Sequence, residues 1–112
     1  MASNLDQTFA ALADPTRRAA IALLRRRPMR SGDVAVALSA SRPAMSRHLK
    51  VLRDAGLVEE AALPGDARAR VYQLRRRPFS ELRGWLEQVE GFWGAQLRAF
   101  KAHAERGRKR QR

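Results

Sequence analysis

The chain contains no cysteine, which removes disulfides, thiolate metal ligands and thiol nucleophiles together. It has no apolar run near the roughly 18 residues that a membrane span needs. The opening stretch MASNLDQTF lacks the character of a signal peptide, so the expected location is cytosolic. Acidic residues are few: 11 Asp and Glu stand against 23 Lys and Arg, a formal net charge of +12. Lysine is rarer still, with three residues beside 20 arginines, a bias that a GC-rich genome produces without functional cause. The net charge itself attracts polyanions and speeds encounter with them, which points toward nucleic acid. What remains is ordinary. A hydrophobic fraction of 45% over 112 residues supports one modest core, and no internal repeat is visible.

Periodicity then orders the chain. Leu5, Phe9 and Leu12 share one face of a short helix that Asn4 or Ser3 can cap. Asp14-Pro15 opens a second helix, because Asp accepts from the unpaired first-turn amides and Pro lacks an amide that would be wasted there. Arg25-Arg26-Arg27-Pro28 ends it. Ser31 is the expected cap of a third helix with Val34 and Leu38 inward. Ser39-Ala40-Ser41 forms a turn, and Ser41 caps a fourth helix running to about Ala55, closed by Gly56. Leu57–Leu63 and Ala69–Leu74 read as strands joined through Pro64–Arg68. After Pro78 a last helix runs to about Glu105, with Phe79, Leu82, Leu86, Val89, Trp93, Leu97, Phe100 and Ala104 on one seam. Trp85 and Phe92 widen it. The expected fold is mainly α with a β-hairpin wing, a winged helix-turn-helix in α-α-α-α-β-β-α order. One DNA-binding and dimerisation domain spans 1–105, and 106–112 is a basic, disordered tail.

The fourth helix carries the chemistry. Met45, Leu49 and Leu52 fall in one narrow arc, while Pro43, Ser46, Arg47 and Lys50 lie opposite, with Arg42 in the first turn. An apolar-backed helix with that polar face suits a recognition helix in the major groove. Arg42 and Arg47 can fork onto guanine edges, Ser46 can reach a base or phosphate, Lys50 suits a phosphate, and Pro43 can meet a thymine methyl. Arg68 and Arg70 sit where a wing would follow the backbone or minor groove. A basic solvated helix face is the plainer reading of the same residues. Arg75-Arg76-Arg77 can also touch phosphate, but a solvated connector is the favoured reading.

Other candidates carry less. His48 borders the apolar arc, where a packed or backbone-bonded role competes with phosphate contact, and His103 is expected at the surface. Ser41 and Ser46 have no base suitably placed beside them, so no catalytic constellation forms. The aromatics Trp85, Phe92, Trp93 and Phe100 suit core or dimer interface, with a small-molecule pocket as the alternative. The basic tail lacks the apolar face of a membrane anchor.

At these residues the sequence resembles the ArsR family of winged-helix repressors. Asp14-Pro15-Thr16-Arg17 resembles the opening of that family's second helix. Residues 41–58, SRPAMSRHLKVLRDAGLV, resemble its recognition helix and the start of its wing, and RVYQL at 70–74 resembles the returning strand. The likeness spans about residues 5–104. It implies homodimeric operator binding, usually as a repressor, and the expected location is the cytoplasm, on the nucleoid. The first and last helices then form the interface, here through Leu5, Phe9, Leu12, Val89, Trp93, Leu97 and Phe100. The metal-sensing members place cysteines in the third helix or paired Asp and His in the last. Here the third helix holds Asp33-Val34-Ala35-Val36-Ala37-Leu38, and the last offers only His103 with scattered carboxylates. One histidine cannot complete the closed tetrahedral set zinc favours. The resemblance is thus to the metal-independent, autorepressor-like branch, with no cofactor and an open choice of small-molecule or protein effector. Two other readings stay open: an architectural DNA-coating protein, and an interaction module using the long last helix.

Overall fold

A computed structural model describes residues 4–110, with side chains described to residue 108. Seven elements follow one another: α1 (Asn4–Leu12), α2 (Pro15–Arg26), α3 (Ser31–Ala37), α4 (Arg42–Asp54), β1 (Val58–Leu63), β2 (Asp66–Leu74) and α5 (Arg76–Arg110). The chain falls into two compact units divided between Ser80 and Glu81. The first holds α1 to β2 and the opening of α5. The second is the remainder of α5.

The first unit is built around α4. Met45, Leu49 and Leu52 are fully buried, as are Ala20 of α2, Val34 of α3 and Leu57. Leu24, Ala35 and Val58 complete the same cluster, with Phe79 packed against its edge. The helix α1 contributes small side chains to this core. Its buried residues are Thr8 and Ala11, with Leu12 partly covered and Phe9 still 41% exposed. Thr8 can occupy that position because its hydroxyl donates to the Asn4 carbonyl at 3.0 Å, so its own buried oxygen is matched. Ser3, the alternative cap, lies outside the described residues.

Helix ends show which local signals operate. Asp14 adopts extended backbone and accepts from the Arg17 amide at 3.0 Å, with Pro15 first in the helix. That bond is the main reason its carboxyl titrates below the ordinary value of 3.8. A depressed folded-state value means the cap stabilises the protein above 3.8 and loses that contribution as the pH falls through the lowered value. Asp14→Asn keeps an acceptor but cannot titrate, so its thermal midpoint should depend less steeply on pH in the acid range than that of the wild type. Asp14→Ala should lose stability at neutral pH. Thermal melts between pH 3 and 7 check both.

Two helices close with the same pair of bonds. After α4, Gly56 takes φ +80°, its amide bonding Arg53 and the Leu57 amide bonding Leu52, both at 2.9 Å. After α3, Ser39 takes φ +53°, its amide reaching Val36 at 3.2 Å and Ala40 reaching Ala35 at 2.9 Å. Both are Schellman closures, but a side chain in the left-handed region costs about 1–2 kcal/mol. Ser39→Gly relieves that strain while loosening the unfolded chain, a net gain of about 0.5–1 kcal/mol. Denaturant titration reads it.

The third helix starts differently from the serine-cap expectation. Arg30 is the N-cap residue and makes no side-chain cap bond, with Ser31 the first helical residue. The cause is long-range: Met29 pairs with Tyr72 of β2 as an isolated antiparallel bridge, through amide bonds of 3.1 and 2.8 Å. The helix begins just past that anchor. In the hairpin, Val58 faces Leu74 and Ala62 faces Arg70, with an irregularity at Ala62/Leu63. Gly65 at φ +84° turns the chain, and Asp66 accepts from the Arg68 amide at 3.1 Å. The strand β2 consequently starts at Asp66, inside what the sequence suggests is a five-residue tip.

In α5, helix begins at Arg76, two residues before Pro78. Proline is tolerated there because first-turn amides have no helical partner. The helix also passes the expected end at Glu105 and continues to Arg110, so the start of the basic segment expected as a disordered tail is helical; Gln111 and Arg112 lie outside the described residues. Within the second unit Arg83 pairs with Glu87 at 3.0 Å, and the rings of Phe92 and Trp93 meet edge-on, 5.8 Å apart.

Candidate nucleic-acid interface

The local sequence around Ser41 fixes how α4 is presented. Ser41 is the extended N-cap residue, its hydroxyl accepting from the Ala44 amide at 3.2 Å, and Pro43 lies in the first turn. The three fully buried residues anchor one side. On the other, Arg42, Pro43, Ser46, Arg47 and Lys50 are all exposed. Lys50 leans along the helix to Asp54, Nζ to Oδ2 2.6 Å. That hydrogen bond holds the Asp54 carboxyl below its ordinary value. The pair is well exposed, so a phosphate can displace Asp54 at little expense.

His48 is half-buried, and its partner is a side chain: Nδ1 lies 3.4 Å from an Arg17 guanidinium nitrogen. Arg17 also donates from Nε to the Ala11 carbonyl at 2.6 Å, tying the end of α1 and the start of α2 to the middle of α4. Across the helix, Arg53 reaches Glu60 of β1 at 2.9 Å, and the Tyr72 hydroxyl donates to the same carboxylate at 2.7 Å. Burial, then this acidic neighbour, raises the Tyr72 hydroxyl above its ordinary value of 10.0. Glu60 thereby joins both hairpin strands to α4.

Between the starts of α3 and α4 and the hairpin lies a polar cleft of about 450 Å³. Arg42 and Ser46 enter it from α4, Arg70 from β2, and Arg30 and Ser31 from the α3 entrance. The Arg42 guanidinium covers Gly32, where an added Cβ would come within 3.5 Å of Nη2. Three guanidiniums facing one carboxylate, Asp33, make a cleft suited to an anion. The fold therefore gathers Arg42, Ser46 and Arg70 and leaves Pro43, Arg47 and Lys50 on the adjoining open face. Arg68 is exposed near the hairpin turn, outside the cleft. Sequence reasoning missed Arg30 and Ser31, since only the Met29–Tyr72 bridge brings the hairpin beside them.

Among the described residues, no group of three or more His, Cys, Asp or Glu side chains could hold a metal ion, and no helix is long and apolar enough to cross a membrane. The helices α3 and α4 around a tight turn, with a hairpin fastened beside them, define a winged helix-turn-helix. Residues 14–60 match the bacterial regulatory proteins of the arsR family. The chain is similar to the HTH-type transcriptional regulator Rv2034 of Mycobacterium tuberculosis, 42% identical over 95 residues covering 85% of this chain and 83% of that protein. It is also similar to the transcriptional repressor SdpR of Bacillus subtilis, 36% identical over 56 residues, half of this chain and 62% of that one. Among solved structures, the homodimeric winged helix-turn-helix domain of Mb0332 from Mycobacterium bovis shares the fold. Its TM-score is 0.62, at 20% identity, with 79% of each chain covered. The protein belongs to the ArsR family and is a DNA-binding transcriptional regulator.

Proposed function

We propose that the protein is a non-catalytic, homodimeric repressor that reads a pseudo-palindromic operator on the nucleoid without a metal or cofactor. The observation that carries this reading is the face of α4: five exposed DNA-compatible residues directly behind which three apolar side chains are fully buried. In this reading Arg42 and Arg47 contact base edges, Pro43 and Ser46 fill the groove floor, and Lys50 exchanges Asp54 for a phosphate. Arg70, with Arg30 in the same cleft, and Arg68 near the turn hold flanking phosphates.

The dimer reading is supported by α5. Trp93, Leu97 and Phe100 are 60%, 68% and 73% exposed, and so large an apolar stripe on one helix is characteristic of an interaction surface. Val89 continues that seam, and Leu5, Phe9 and Leu12 of α1 supply a second patch. A two-fold dimer sets its recognition helices one DNA turn apart, roughly 34–36 Å. The test is to map DNA protected upstream of the protein's own gene. Two inverted half-sites about 10 base pairs apart, centre to centre, support the reading; protection without a repeated element sinks it. Zinc, arsenite or copper at micromolar concentration should leave operator affinity unchanged. A stoichiometric metal that shifts affinity severalfold would overturn the metal-independent reading.

A further inference from the structure

On the first unit, away from the polar cleft, α2, the end of β2 and the start of α5 enclose a groove of about 640 Å³. Its volume falls in the range of small-molecule pockets, roughly 300–1,000 Å³. The floor is apolar, formed by Ile21 and Ala22 of α2, Leu74 of β2 and Phe79. The rim is cationic, formed by Arg18, Arg25, Arg75 and Arg76, and no acidic residue lines it. Two of the four arginines are engaged: Arg18 donates to the Leu12 carbonyl at 2.7 Å, and Arg75 lies 3.8 Å from Glu59. The guanidiniums of Arg25 and Arg76 have no ion pair among the described residues.

We propose that this groove is an effector site for an amphipathic anion, a hydrocarbon chain ending in a carboxylate. A hydrocarbon body accounts for the floor and a single negative head for the rim. An inorganic anion leaves the floor wet, and a neutral apolar ligand leaves the arginines without a counter-charge. Guanidinium suits a carboxylate head because its fork offers two parallel donors. Two short routes lead to the DNA face, one along the chain and one through a side-chain contact. The strand β2 runs from Leu74 in the groove to Arg70 in the cleft, and α2 carries Arg17, which holds His48 on α4. Occupying the groove acts on both supports of the reading head. Only this effect on DNA rests on the operator-binding reading; the binding itself does not.

Ile21 is the sole isoleucine of the chain, so a 13C label on its δ1 methyl gives one NMR signal from the groove floor. Laurate, kept below its micelle concentration and titrated into the full chain without DNA, should move that signal saturably, with a midpoint on the order of 10–100 µM. Lauryl alcohol and inorganic phosphate should each require at least about tenfold more. The charge-reversed pair Arg25→Glu/Arg76→Glu should raise the laurate midpoint about tenfold or more, while Arg106→Glu/Arg108→Glu, at the far end of α5, should leave it unchanged. A static signal overturns the proposal. So does equal weakening by both pairs, which would reduce binding to net charge. A signal that moves on protein dilution and ignores laurate would show a second copy of the chain in the groove, and also overturns it. Saturating laurate should change operator affinity severalfold in the wild type but not in Arg25→Glu/Arg76→Glu; binding without that change removes the effector role. If operator binding fails while Ile21 still titrates, the DNA reading falls and the groove stands.

Discussion

Trp93→Ala should turn a micromolar solution of the protein from dimer to monomer and abolish operator binding at that concentration, with the first unit still folded. The separation of effects follows from exposure. Trp93 is 60% exposed in the single chain, so its truncation opens no cavity in the core built on Met45, Leu49 and Leu52. On the proposed interface the same ring, which meets Phe92 edge-on, would be covered by the partner. Removing such an aromatic anchor costs roughly 2–4 kcal/mol of association free energy, a factor of about 30 to 1,000 in the dissociation constant. Operator binding suffers further because each monomer grips only one half-site. Light scattering and circular dichroism on the same sample separate the outcomes. A variant that remains dimeric places the interface elsewhere, and one that unfolds places Trp93 in the core. Phe100→Ala, 73% exposed, should behave alike.

The second large effect falls on base preference. Arg42→Ala and Arg47→Ala should each weaken specific binding by about 1–3 kcal/mol and relax preference at the base pairs they touch. Their loss should show as a smaller gap between operator and unrelated DNA. Arg68→Ala, Arg70→Ala and Arg30→Ala should instead weaken both duplexes nearly equally and lower the slope of affinity against salt by about one counterion each. These two patterns are qualitatively different, so titrations at several salt concentrations distinguish them without a structure of the complex. Arg30 is the informative member, since the role proposed for it rests on the cleft alone. If Arg42→Ala and Arg47→Ala keep full operator preference, α4 does not enter the groove as described.

Elements dictated by neighbouring residues were readable from the sequence. Asp14-Pro15 and Ser41-Arg42-Pro43 start helices through bonds within three residues, and Gly56 ends α4 because only glycine takes its backbone angle without strain. The spacing of Met45, Leu49 and Leu52 identified the buried side of α4, and with it the exposed side. Features set by distant pairing were not readable. The Met29–Tyr72 bridge has no local signature, and it decides that α3 begins without a serine cap and that Arg30 faces the hairpin. Ser39 was hidden for the opposite reason. Its turn is local, but a serine in the left-handed region runs against propensity and persists because α3 and α4 are both anchored in the core. In α1 the periodic residues Leu5, Phe9 and Leu12 marked a helix correctly, yet its buried positions are Thr8 and Ala11. A hydropathy pattern does not say which apolar face meets the chain's own core and which is left for a partner.

Whether the protein discriminates among DNA sequences is decided by competition binding at matched salt. A labelled duplex carrying the protected site is bound by the protein, then challenged with unlabelled copies of itself or with unrelated duplex of equal length. If α4 reads base edges, the operator should compete at least about 10³ times better than unrelated DNA. Equal competition by the two duplexes would mean that the protein, with its charge of +12, coats DNA without reading it, and that α4 does not recognise base edges.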